Sequence, residues 1–182
     1  HNGDTMAILS SDLIRQGAAG VSTGYTIDHS IRFNDGDSAY MHRTPSGAGD
    51  RRTFTYSLWF KLGDMASSQR MLLSVRNSDT TRDNIMINQG SSGDFRLYFD
   101  ARVSGSAHTA LEPTTFTTST FPGSNQQFQI NNTNKHSIGR FEFSSVSGYW
   151  DGYMAEIHLL DGYAYDSSYF GEFDSNGIWI PK

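Results

Sequence analysis

Three groups of residues in this chain have types and spacings that suit chemistry. The first is a set of aromatic rings at the ends of alternating segments: Tyr40, Tyr149, Trp150 and Tyr163, with Tyr25 and Tyr165 beside them. Sugars are held by ring faces together with hydrogen bonds from Asn, Asp and Arg on loops, so these rings are candidates for carbohydrate binding. The competing reading is that they are half-buried residues at strand ends, where aromatics commonly sit. The second group is Asn34-Asp35-Gly36-Asp37, a cluster of hard oxygen donors of the kind Ca²⁺ favours, with Asp35 and Asp37 as ligands. It lacks the twelve-residue loop and final Glu of an EF-hand, and the same four residues also suit a turn capped by its own side chains. The third group is the carboxylates Glu142, Asp151 and Glu156. A retaining glycosidase sets two carboxyl groups about 5 Å apart, which on a strand means positions two apart on one face. No Glu-x-Asp-x-x-Glu run occurs, and no Ser-His-Asp set or phosphate-binding glycine loop stands out. His29, His42, His108, His136 and His158 form no pair at metal-ligand spacing. The catalytic inventory is poor, and the expectation is a protein without enzymatic activity.

The elements that must position these residues are strands. The chain is organised around Tyr149–Tyr163. There Tyr153, Ala155, Ile157 and Leu159 alternate with Met154, Glu156, His158 and Leu160, the period of a strand with one face in a core. Asp151-Gly152 and Asp161-Gly162 bracket it as turns. Upstream, Ile27, His29, Ile31 and Phe33 alternate, and Thr53–Leu62 sets Phe54, Tyr56, Leu58 and Phe60 on a core face with Trp59 on the other. Met71–Val75, Asn84–Asn88, Phe95–Phe99, Phe128–Ile130 and His136–Phe143 read as further strands, with a hairpin turn over Ser91–Asp94. Ser10–Gln16 is the best helical stretch, and Asp166 caps a helical turn before Phe170. Strands about ten residues apart, with turn signals between them, predict a two-sheet antiparallel sandwich.

Composition narrows the function. The chain has 182 residues, rich in Phe, Tyr, Gly, Ser and Thr, which is an all-β composition. A net charge of −5 with no basic cluster argues against a nucleic-acid groove. No apolar run approaches the length of a membrane span, so membrane insertion is not expected. With no cysteine there is no disulfide and no thiolate metal site. Met6-Ala7-Ile8-Leu9 reads as a natural start without a signal peptide, and His1–Thr5 are set apart from the fold.

Four segments carry a resemblance: Ser30–Tyr40, Phe54–Lys61, Ile138-Gly139-Arg140 and Asp151–His158. In this order they resemble the concanavalin A-like (laminin-G-like) jelly-roll domains. The tail Phe170–Lys182 is similar to the version found in structural proteins of tailed bacteriophages. The resemblance covers about residues 26–182 and implies an arm over residues 1–25 followed by one jelly-roll sandwich. It also implies a virion or extracellular protein, a tail fibre, spike or capsid decoration with a lectin-like sandwich. Its expected partners are other virion proteins and host surface polysaccharide, in a homo-oligomer, with a Ca²⁺ at a sandwich rim. Some relatives of the fold are glucanases, which keeps glycan hydrolysis as a remote alternative. The chain departs from the pattern after Phe99: family members carry a Trp-His strand and a further strand before the segment matching Pro122, whereas here the Thr-rich segment follows almost directly, so either two strands are lacking or the natural chain is longer near residues 103–108.

Overall fold

The computed structural model describes residues 27–64, 69–78, 80–89, 95–103, 106–110, 125–142 and 147–182. The predicted N-terminal arm and helical stretch, the Ser91–Asp94 turn, and Tyr25 lie outside the described residues. Eleven strands are formed among them: β1 (Ile31–Phe33), β2 (Met41–Arg43), β3 (Phe54–Leu62), β4 (Gln69–Ser78), β5 (Thr81–Gln89), β6 (Phe95–Val103), β7 (Ser106–Ala110), β8 (His136–Ile138), β9 (Gly152–Asp161), β10 (Gly171–Phe173) and β11 (Trp179–Pro181). The only helical pieces among the described residues are two 3-10 turns, Asp35–Asp37 and Ser167–Tyr169. No helix there is long and apolar enough to cross a membrane.

The chain separates into two compact units. Within residues 29–165 the strands form two antiparallel sheets. One has the order β1-β9-β3, the other β2-β8-β4-β5-β6-β7. Phe33, Met154, Tyr56, Leu58 and Leu62 of the first sheet meet Leu72, Ile85, Ile87 and Leu97 of the second, with Trp150 between them. A second cluster joins Phe54 and Leu159 to Leu73, Val75, Phe99, Phe128 and Ile130. The fold is therefore an all-β, two-sheet sandwich, as the alternation predicts. In the other unit, residues 166–182, Asp166 caps its 3-10 turn by accepting from the Ser168 amide at 2.8 Å. β10 and β11 pair there around a Phe173–Trp179 edge contact.

The organising stretch is the central strand of the smaller sheet, and its alternation is broken. Ser57 pairs with His158, but Trp59 pairs with Ala155, so Glu156 and Ile157 together face Leu58. Glu156 takes a left-handed conformation (φ +49°) at this bulge. The inward set becomes Met154, Ile157 and Leu159, and Tyr153 is exposed. Two other boundaries differ from the sequence reading. Phe128–Ile130 belong to a loop, residues 125–135, rather than to a strand, and β8 stops at Ile138. Gly139 explains the stop: it has φ +84°, and a Cβ there would come 2.8 Å from the Phe33 ring. β6 pairs antiparallel with β7, with Val103 opposite Ser106.

Candidate functional site

One end of the sandwich carries a loop, residues 125–135, tied down by polar side chains. The Asp83 carboxylate, inside the sandwich on β5, accepts from the Gln129 amide and from the Ile130 amide at 2.8 Å. Arg51 clamps the same loop through Nε to the Phe128 carbonyl (2.6 Å) and Nη1 to Gln127 Oε1 (3.0 Å). His136 closes its far side. Its Nε2 accepts from the Asn131 amide at 3.0 Å, and its Nδ1 lies 2.8 Å from the Asn134 carbonyl, so Nδ1 carries the proton. Burial lowers the pKa of this imidazole and favours that neutral form; the Asn134 carbonyl opposes the shift.

At the tip of β9, Asp161 Oδ1 accepts from the Asp50 amide (2.6 Å) and from Asn131 Nδ2 (3.1 Å), which also donates to the Asp50 carbonyl (2.9 Å). Asp50 in turn caps the start of β3 by accepting from the Arg52 and Thr53 amides, and these bonds hold its carboxyl below the usual range. The result is a pre-ordered rim of Asp, Asn, Gln and Arg groups.

Tyr163 follows Asp161 by two residues and is exposed over 57% of its surface. Its ring lies parallel to Tyr165, 3° between planes and 5.3 Å between centroids. Thr55 fixes the pair: its hydroxyl donates to the Tyr163 carbonyl at 2.7 Å and accepts from the Tyr165 amide at 2.8 Å. This stacked pair is the best open ring platform among the predicted residues.

The other three rings fare differently. Trp150 is a correction: it is fully buried, edge-on to Phe60 at 5.4 Å, and a ring closed into the core presents no face to a ligand. Tyr40 is exposed, but the Arg140 guanidinium lies 3.5 Å from its ring centroid and His42 stacks on it at 5.6 Å. Tyr149 is half-buried, and its carbonyl accepts from Arg70. Only the fold separates the exposed Tyr163 from the buried Trp150.

The carboxylates are occupied by cations and donors. Asp35 Oδ2 lies 2.9 Å from Nη1 of the buried Arg70. Asp37 Oδ2 accepts from Asn34 Nδ2 at 2.7 Å, and Asn34 caps the Asp35–Asp37 turn through the Gly36 amide. The structure thus places the two predicted Ca²⁺ ligands in a self-capped turn salt-bridged to Arg70. Among the described residues no group of three or more acidic or histidine side chains is gathered as a cation's ligands.

Glu142 is held by Ser137 Oγ (2.6 Å), Arg140 and Lys135. Burial works against its charge, but these donors outweigh burial and keep its pKa below the usual value. Asp100 sits between Arg82 and Arg102, and Glu156 lies 3.5 Å from His158. Sequence reasoning missed the two side chains that organise the rim, Asp83 and His136. Asp83 stands among the polar residues Thr81, Arg82 and Asn84, just ahead of the apolar run Ile85–Ile87, so no local signal marked it. Comparison with family models, with curated proteins and with solved structures found no match.

Proposed function

We propose that the chain is a non-enzymatic structural protein of a tailed-phage virion, a tail fibre, spike or capsid decoration built on a lectin-like sandwich. The observation that supports this reading is where the four resembling segments fall. Three of them supply β1, β3 and β9, which make one sheet. The fourth, around Gly139, accepts from the Trp150 amide at 2.8 Å and packs against Phe33. The segments that suggest the family are thus mutual neighbours, as parts of one inherited domain would be. The engaged state of Asp35, Asp100 and Glu142 fits a role in architecture better than one in proton transfer. The test is fractionation of density-purified particles. The chain should band with the virions at a fixed copy number; its presence in the lysate but not in the particles would sink the proposal.

A second reading, recognition of host surface glycan, is favoured by the exposed Tyr163–Tyr165 stack beside the Asp50–Asn131–Asp161 rim. Titration with host surface polysaccharide should give binding that Tyr163→Ala weakens by about tenfold, while Tyr40→Ala changes it little. Equal loss in both variants, or no binding by the wild type, would refute a site at Tyr163.

A further inference from the structure

Among the described residues the smaller sheet ends at β3. β3 pairs with β9 along one edge over Phe54–Leu62, and among the described residues no strand pairs with its other edge. A nine-residue strand with an open edge is a template for another strand, and proteins usually blunt such edges with proline, charge or cover. β3 contains no proline, and its one charge is Lys61, near the end.

Each face of the strand carries a large ring that is incompletely covered. Tyr56, Leu58 and Leu62 face the core. Phe60 belongs to the same face, yet it is 44% exposed although its ring contacts Trp150. On the opposite face Trp59 is only half-buried, between Ser57 and Lys61. A sheet edge that leaves two large rings incompletely covered is unfinished on both sides.

We propose that the open edge of β3 pairs with β3 of a second copy of this chain, antiparallel about a two-fold axis at Trp59, to make a continuous six-stranded sheet. The sequence of the strand is self-complementary in that register. Trp59 meets its own copy in a cross-strand aromatic pair, Phe60 is covered by the partner's Leu58, and Tyr56 lies opposite the partner's Leu62. Lys61 falls opposite the partner's Ser57, so the only charge on the strand meets a neutral polar side chain rather than another lysine. This interface uses neither the rim nor the virion assignment, so it stands or fails separately from both.

The register makes a two-signed prediction. Ser57→Glu sets a carboxylate opposite Lys61 in both halves of the dimer, and Ser57→Lys sets like charges there. Sedimentation equilibrium of the full chain at low salt should show the dimer tightened roughly four- to tenfold by the first variant and weakened as much by the second. The chain has no cysteine, so a spin label on Ser57→Cys reports one distance. Strand geometry puts the two Cα atoms roughly 15 Å apart across the dimer. A protein that stays monomeric at all concentrations would overturn the proposal, as would a dimer that responds alike to both charges or labels far beyond that range. Amides on the open edge of β3 that resist exchange in the monomer would do the same, because the edge would then be covered by the chain itself.

Discussion

Asp83 offers the sharpest test of the rim. Its carboxylate is 1% exposed, and one oxygen, Oδ1, has no hydrogen-bond partner. Burial pushes its pKa up to about 6, against the pull of the Ile130 and Gln129 amides and the charge of Arg51. An acid whose folded pKa is raised binds its proton more tightly in the folded state. Its contribution to stability is therefore greatest below the unfolded value near 3.8 and is lost as pH rises through about 6. A rise of roughly two units corresponds to about 2–3 kcal/mol between those limits.

Asp83→Asn keeps an oxygen for the two amides and removes the titration. Urea unfolding of both proteins, followed by tryptophan fluorescence from about pH 3.5 to 7.5, isolates the effect as a difference, because every other titrating group is common to both. Relative to wild type, the variant should gain about 2–3 kcal/mol on going from the acid to the neutral end, nearly all of it between about pH 4 and 6. A difference that stays flat across this range would refute the idea that a buried, ionising Asp83 anchors the loop.

Further outcomes follow from the same geometry. Gly49→Ala would drive a Cβ to 1.9 Å from Asp161 Oδ2 and break the Asp50–Asp161–Asn131 linkage; a loss of about 1–3 kcal/mol in chemical unfolding is expected. Trp150→Ala empties the centre of the sandwich and should cost about 3–5 kcal/mol, read from the shift in unfolding midpoint. His136 should remain neutral with its proton on Nδ1 below the ordinary histidine range near 6.5, as imidazole NMR would show; its stabilisation is present at neutral pH and is lost as acid protonates Nε2. Glu142→Gln should cost about 1–3 kcal/mol at neutral pH and progressively less in acid, because the depressed Glu142 pKa makes that stabilisation disappear as pH falls through it.

Much of the fold was legible in local pattern. The alternation of Phe54, Tyr56, Leu58 and Phe60 announced β3, although Phe60 is left 44% exposed; the Asp151-Gly152 and Asp161-Gly162 pairs marked the ends of β9, and Asp166 stood where a cap was needed. These features are local: each depends on the residue itself and neighbours a few positions away, so sequence carries them. The Glu156 bulge could not be read in this way. An extra residue in one strand exists only relative to its partner, and a single strand's period of two gives no hint that the inward face passes from Met154 to Ile157.

The candidate site divides along the same line. Residue types alone determined that the chain carries aromatic rings beside its turns, an Asn-Asp cluster and scattered carboxylates, and that it lacks cysteine. Tertiary structure decided which of these face solvent. Trp150 and Tyr163 look alike in the sequence, each beside an Asp-Gly turn, yet one fills the space between two sheets and the other stacks on Tyr165 at a strand end. Only the fold joins Asp83 to the loop 46 and 47 positions away and Asp161 to Asp50 across 111 positions. Contacts at such separations depend on how whole strands are ordered and registered, and no short window of sequence contains that order.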